Sequence, residues 1–479
     1  MFVWTTMKGP TMFRHLIILI ICLFVAVPSW AATYYTDKAG SDANTCAMAA
    51  TASVDRTKAM KTIGTISPSP SGGMGCLKNP DDVLIVGDGI YVEAERAFGN
   101  QSGSPVNGTA GHPVTLKAEH KWLAILSSTS TATCDPGISF SASYITVEDL
   151  YVKVDPSAVP CGVYSAANAN LLSWEATSPT PANPTTGHPG IVIRGVKTDP
   201  NVLRSVGIKI RTDNALVENS DLSDLENFNN TGTIFRNNII RGLALSKGGA
   251  RNLQFYNNVV HISDASVSQF GNTNAIVIGG CTCNGCGFDA ATHIESYNGA
   301  VYNNAVLNDS SNQTYVAFQL RSDADSKVFN NVSVGLNPIA FGVTCASPTP
   351  SNANPFVENN IFIGTGATSV PALTQFTGTK TIDYNDFYNF ASGVPTQTHA
   401  ITGNPNLVNN LTDWHPQAGS PVINAGTTIT MPAYGGGTIT VNVTADGVTR
   451  PIGTAWDLGI YSSTRDFVAP AAPLGLKVQ

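Results

Sequence analysis

Short apolar stretches alternating with polar residues recur along most of the chain, and each is interrupted by Asn or Asn-Asn. They read "ALVENSDL" (215–222), "TIFRNNII" (233–240), "LQFYNNVV" (253–260), "GAVYNNAV" (299–306), "SKVFNNVS" (326–333), "PFVENNIF" (355–362) and "TIDYNDFY" (381–388). Alternation at period two marks a strand with one buried face. Asn at the break suits a sharp bend, because it tolerates left-handed backbone better than any residue except Gly. Taken at Asn219, Asn238, Asn258, Asn304, Asn331, Asn360 and Asn385, the breaks lie 19, 20, 46, 27, 29 and 25 residues apart. A turn repeated at about 20–30 residues predicts a solenoid, with the first six of these Asn stacked in one column at one corner.

A second set of alternating stretches precedes these turns: "GIKIRTD" (207–213), "GLALSKG" (242–248), "AIVIGGC" (275–281), "AFQLRSD" (317–323) and "IAFGVTC" (339–345). The pattern points Ile208/Ile210, Leu243/Leu245, Ile276/Ile278, Phe318/Leu320 and Phe341/Val343 inward. The outward positions then form two columns. One is Arg211, Ser246, Gly279, Arg321 and Thr344; the next is Thr212, Lys247, Gly280, Ser322 and Cys345. Small residues at 246, 279 and 280 predict a groove edged by Arg211, Lys247 and Arg321. The 46-residue interval between Asn258 and Asn304 reads as one coil with long insertions that wall this groove and bring His293 and Glu295 to it.

Composition adds compartment and charge. Of 479 residues, only 12% are charged and 44 are Gly, which fits turn-rich β structure. Basic residues and "LIILIICLFVAV" (16–27) precede "PSWAA"; that apolar run is too short to span a bilayer and suits a signal peptide cleaved after Ala31. An exported protein without a membrane span is expected. One of the nine Cys lies in that leader, and the even remainder in an oxidising compartment suggests disulfides, with Cys46–Cys76 and Cys134–Cys161 the expected pairs. Cys281, Cys283, Cys286 and Cys345 are alternatively a four-thiolate zinc set. The net charge of −7 is uneven: 194–261 holds 9 basic and 6 acidic residues and is the one net-positive segment. No dense basic stripe exists, so nucleic acid is not an expected partner, whereas a local patch suits an anionic polymer.

The strand–Asn turn–strand coil resembles the right-handed parallel β-helix family, which includes pectate lyases, polygalacturonases, chondroitinase and alginate lyases and many phage tailspikes. The resemblance implies an all-β, single elongated right-handed parallel β-helix. Within it, 32–135 would form an N-terminal cap and first coils, 136–400 the central coils, 401–465 a closing segment and 466–479 a linker-like tail. It implies a polysaccharide partner, possible uronate β-elimination, and a monomer; the alternative is a non-catalytic carbohydrate-binding or surface protein of the same shape. A tailspike-like adhesin fits less well with a signal peptide.

β-Elimination needs a cation for the substrate carboxylate and a base for the C5 proton. "LSKGGARNLQFYNNVV" is similar to the stretch of chondroitinase-B-like and alginate lyases that carries their catalytic lysine, which places Lys247 on that lysine. Arg321 is the second catalytic candidate, with Arg211, His293 and Glu295 as substrate-binding candidates. The next coil departs from the lyases: "AIVIGGC" lacks their Arg-His-Gly, and "IIRGLAL" lacks their calcium-binding acids. The alternative reading of Lys247 is an exposed lysine beside glycines that pack a tight coil. Glu218, Asp221, Asp224 and Glu226 form a candidate calcium set, with a solvated acidic face as the plainer reading. Glu295 with Asp289 or Asp309 is a candidate hydrolase pair, although polygalacturonase motifs are missing. His261 and His293 read as surface histidines.

Overall fold

A strand of three to six residues cannot bury its own apolar face, so each strand here hydrogen-bonds to its counterpart one coil away. The computed structural model describes residues 31–463, apart from 67–69, 94–95, 99–105, 129–136, 154–168, 174–187, 199–205, 266, 268–272, 281–293, 343–351, 433–437 and 451–453. The signal peptide, Cys134, Cys161, the four proposed zinc thiolates, Asp289 and His293 lie outside the described residues. Three long, all-parallel sheets of twelve, eleven and nine strands run the length of the molecule, and a five-stranded sheet lines one corner. One coil illustrates the path: Leu216–Glu218 lies in the twelve-stranded sheet, Asp221–Leu222 in the eleven-stranded sheet, and Leu225–Phe228 in the nine-stranded sheet. The result is a right-handed parallel β-helix, the hand favoured by parallel crossovers.

The inward columns explain the stacking. Val217, Phe235, Phe255, Val301, Val328 and Val357 are in register from coil to coil and all are buried. The 46-residue interval is a single coil, since Val259–Ile262 pairs directly with Ala305–Asn308.

Two functions assigned to one Asn belong to two adjacent positions. The left-handed residue is the first of each pair: Asn219, Asn237, Asn257, Asn303, Asn330 and Asn359 have φ of 54, 56, 55, 54, 54 and 58°. The second residue forms a buried amide ladder. Asn238 donates to Asn258 Oδ1 (3.0 Å), Asn258 to Asn304 (3.0 Å), Asn304 to Asn331 (3.0 Å), Asn331 to Asn360 (3.0 Å) and Asn360 to Asn385 (2.9 Å). Gln397 ends it by accepting from Asn385 (3.1 Å). Asn219 is therefore not a rung. The equivalent rung position is Ser220, whose N–H donates to Asn238 Oδ1 (3.1 Å).

Both ends are closed. The short helix Cys46–Ala49 is tied by the Cys46–Cys76 disulfide, as expected. At the other end the chain folds back along the flank as two antiparallel hairpins. Leu407, Trp414, Val422 and Leu458 cover Ala305, Val332 and Ile361; Ile429, Met431, Val441 and Trp456 cover Tyr302 and Phe329. Among the described residues, no helix is long and apolar enough to cross a membrane.

Burial under this cover sets a pH dependence. Asp386 is fully buried in the eleven-stranded sheet, and burial pushes its carboxyl up to about 8. Burial also pushes Asp323 up to about 7. A raised carboxyl favours folding in its protonated form; that contribution is complete below the unfolded value of about 3.9 and disappears as pH rises through the folded value. The melting temperature should therefore fall between pH 5 and pH 8.5, and Asp386→Asn should flatten that fall and raise the melting temperature at pH 8.5 by several degrees. A fall of the same size in Asp386→Asn would place the dependence elsewhere.

Candidate functional site

The outward face of the nine-stranded sheet carries the candidate groove, but one strand of it is invisible to periodicity. Leu225–Phe228 ("LENF") inserts between Val206–Ile210 and Ala244–Lys247. Its inward residues are Leu225 and Asn227; Asn227 is satisfied by donating to Ser246 Oγ (3.0 Å) and accepting from Asn230 Nδ2 (2.6 Å). Register with this strand turns Ala244 and Ser246 inward. The expectation for Leu243/Leu245 is thus wrong by one residue: Leu245 pairs outward with Glu226 and Val277, and Leu243 is buried at the coil corner. Ile208/Ile210, Ile276/Ile278, Phe318/Leu320 and Phe341 point inward as read; Val343 lies outside the described residues.

The shift rebuilds the outward columns. Lys209, Glu226, Leu245, Val277 and Gln319 form one. Phe228 and Lys247 pair in the next, where Gly279 pairs with Arg321 and Arg211 follows the paired Ile210. Lys247 thus shares its column with Arg211 and Arg321 instead of standing in a separate one. Each arginine is two strand spacings from it, about 10 Å.

Glu226 is the centre of the site. Its carboxylate is buried, with Lys209 Nζ at 2.7 Å from Oε2 and Lys247 Nζ at 3.0 Å from Oε1. Burial alone would raise this carboxyl, but the two ammonium charges outweigh it and hold it below the usual glutamate range. Burial pushes the Lys209 ammonium down, against the attraction of Glu226 and with help from Arg211 and Lys247. The two lysines differ in access: the Lys247 side chain is 16% exposed and that of Lys209 is 6% exposed. Lys247 is therefore neither a plain solvated lysine nor one surrounded only by cations. The Arg211 guanidinium lies 4.8 Å from the Phe228 ring centroid, and burial lowers its pKa.

The glycines around Lys247 have separate reasons. Gly248 has φ 71°, and a Cβ there would come within 2.8 Å of the Phe228 ring. Gly279 has φ 84°, and its Cβ would meet the Arg321 carbonyl oxygen at 1.7 Å. Gly279→Ala should lower stability by at least about 1 kcal/mol, because both the backbone and the contact reject it; an unchanged urea midpoint would show that the strand can move aside. A Cβ on Gly280 would sit 3.1 Å from Lys247 Cβ and 3.2 Å from Glu295 Oε2. Glu295, buried, is accordingly brought beside Lys247 as expected, while Arg321 stands two coils further on in the same column.

Other candidates separate. Glu218 is held by Arg194 (2.6 Å) and Arg236 (2.6 Å) on the twelve-stranded sheet. Asp221 is held by Arg241 (2.8 and 3.0 Å) on the eleven-stranded sheet. Asp224 is fully buried and accepts from the Leu243 N–H; burial raises its pKa. With Glu226 on the third sheet, the four proposed calcium ligands do not converge, since alternation and the coil corners turn them onto different faces. Among the described residues no group of three or more His, Cys, Asp or Glu is arranged to hold a metal ion. Asp309 does not pair with Glu295; it binds His261 Nδ1 (2.9 Å) beside the eleven-stranded sheet. Lys209 and the role of Glu226 escaped the sequence reading. Outward alternation in "GIKIRTD" was the available signal for Lys209; nothing local signalled its partner.

No family model and no curated protein matches the chain. Solved structures do. The crystal structure of pectate lyase Pel9A aligns over 91% of this chain and 97% of its own, at 13% identity and a TM-score of 0.51. An alginate lyase from Paenibacillus sp. str. FPU-7 aligns over 67% and 98% at 13% identity and a TM-score of 0.37. A rhamnogalacturonan lyase aligns over 77% and 88% at 12% identity and a TM-score of 0.44. At these identities the first match establishes a shared fold.

Proposed function

We propose that this chain is an exported protein acting on an anionic polysaccharide by β-elimination, with Lys247 as the base and Arg321 as the clamp on the uronate carboxylate. The observation that carries this reading is the strip on the nine-stranded sheet: the more exposed of two lysines sharing one carboxylate, on a column with Arg211 and Arg321, beside the side-chain-free Gly279 and Gly280. With Glu226 and Glu295 ionised and Lys247 as the free amine, Lys209, Arg211 and Arg321 leave an excess of one positive charge. That excess suits a polymer carrying one carboxylate per sugar. In the reaction, the Lys247 amine takes the C5 proton and the C5–H electrons form the C4–C5 double bond. The C4–O bond breaks and its oxygen leaves with a proton from solvent or a neighbouring acid. Arg321 neutralises charge that builds on the substrate carboxylate. Glu226 holds the Lys247 side chain in place and is itself shared with Lys209. The pectate, alginate and rhamnogalacturonan lyases among the similar folds agree with this chemistry by analogy only.

One observation favours binding without turnover. Lys247 Nζ is held 3.0 Å from Glu226 Oε1, an engagement that positions an ammonium for binding as well as it would position a base. Incubation with alginate, pectate and chondroitin separates the two readings. New ultraviolet absorbance from an unsaturated product is expected on at least one polymer; retention of a polymer with no such product would leave a binding protein.

A further inference from the structure

Ten of the turns between the twelve- and eleven-stranded sheets contain one left-handed residue, and two of the ten use an aromatic residue ill suited to it. The corner runs through Trp122, Asp149, Gly195, Asn219, Asn237, Asn257, Asn303, Asn330, Asn359 and Tyr384, all with φ between 53° and 66°. Asp149 donates its N–H to Arg194 O (3.0 Å) and Gly195 to Glu218 O (3.0 Å), each to the residue before the next left-handed position; Trp122, in a longer turn between Ala118 and Ala124, donates instead to Asp149 O (2.7 Å). Gly, Asn and Asp are the residues this backbone tolerates; a bulky ring there is an outlier, and outliers concentrate where a side chain serves another purpose. Tyr384 has a partner for its ring inside the chain, since His399 stacks on it at 4.3 Å.

Trp122 instead has ammonium groups at its ring. Its Nε1–H donates to Gly195 O (2.6 Å), which fixes the edge of the indole. Lys121 Nζ lies 4.7 Å and Lys197 Nζ 5.7 Å from its centroid, and Lys197 also lies 4.9 Å from the Tyr151 ring. Lys121 is exposed, and Trp122, Tyr151 and Lys197 are half-buried. Asp149 lies on the same corner; burial pushes its carboxyl up, and Lys117 and Lys121 draw it down. We propose that the Trp122 corner, with Lys121, Lys197 and Tyr151, is a second binding site for an anionic sugar unit of a polymer, separate from the groove. The ring offers an apolar platform to a sugar face, and the ammonium groups answer a carboxylate or sulfate on it. The corner joins the twelve- and eleven-stranded sheets, whereas the groove lies on the nine-stranded sheet, and the coil of Lys247 is four rungs further along, about 19 Å. One polymer held at both places would gain affinity without any new contact in the groove.

This inference rests on the polysaccharide reading for its ligand, so the test measures binding, not turnover. Migration of the intact protein is compared in native gels containing polygalacturonate (carboxylate only), carrageenan (sulfate only) or neutral dextran. The wild type should be retarded by at least one anionic polymer and not by dextran; which of the two retards it identifies the anion. Trp122→Asn keeps the left-handed φ of 66° on a residue that tolerates it. It should melt at or above the wild-type temperature while weakening retention about tenfold, and Lys121→Ala with Lys197→Ala should weaken it comparably. Wild-type retardation that both variants retain would overturn the second site alone. A Trp122→Asn protein that melts several degrees lower would make the ring a packing residue and also overturn it. No retardation of the wild type by any anionic polymer would overturn the polysaccharide reading together with this site.

Discussion

Lys247→Ala is expected to reduce formation of unsaturated product by at least about a hundredfold, the usual scale for losing a positioned base, while polymer retention persists on the remaining cations. The ion pair gives this substitution a stability cost that an exposed lysine would not have. Lys247 is 16% exposed, so water can replace its ammonium, and Lys209 still holds Glu226. A loss of about 1–2 kcal/mol is expected. Glu226→Gln is the contrasting variant. It leaves Lys209 buried without its counter-charge, and removing one partner of a buried pair costs about 3–5 kcal/mol. Urea melts should therefore rank Glu226→Gln well below Lys247→Ala, while product formation should rank Lys247→Ala lower at temperatures where both are folded. Full activity in Lys247→Ala would remove it as the base and leave it as the outer arm of a structural ion triad.

Asn304→Leu is expected to be among the most damaging single changes outside the groove. The Asn304 amide donates to Asn331 Oδ1 (3.0 Å) and to Phe255 O (2.9 Å). Its Oδ1 accepts from the N–H (2.9 Å) and Nδ2 (3.0 Å) of Asn258. Leucine fills similar volume but leaves these buried groups without partners, each worth about 1–3 kcal/mol, so a total loss of about 3–5 kcal/mol is expected after partial relaxation. Asn257→Gly tests the other half of the turn. Asn257 supplies a φ of 55°, which Gly adopts freely, so a change within about 0.5 kcal/mol is expected. Equal losses in the two variants would mean that ladder and turn are not separable.

The contrast between these two asparagines also marks what periodicity conveys. Strand, Asn break and strand at a period near 20–30 were legible because alternation and turn chemistry act over a few neighbouring residues. The buried columns through Phe235, Phe255, Val301 and Val328 follow directly from that pattern. The sequence also named Lys247, Arg211 and Arg321 as groove residues, since outward alternation next to small residues is local information, and Glu295 through the long insertion between Asn258 and Asn304. Which Asn of a pair bends the backbone and which forms the ladder depended on hydrogen bonds between coils, and a one-residue offset there is silent in the pattern.

Glu226 shows the same limit for the site. "SDLENF" reads as a solvated acidic turn, because a strand with Asn227 inward and Glu226 outward carries no apolar alternation of its own. It becomes a strand because the strands on either side, Val206–Ile210 and Ala244–Lys247, satisfy its backbone groups. Its carboxylate loses its solvation but gains two ammonium groups, one from 17 residues before and one from 21 residues after, as the positions of Lys209, Glu226 and Lys247 require. The chain by itself determined that there would be coils, where they turn and which face of most strands is apolar, because those choices are made by adjacent residues. Tertiary structure alone decided the register between coils, and with it the company of Lys247, because register is fixed by hydrogen bonds and ion pairs between residues a full coil apart.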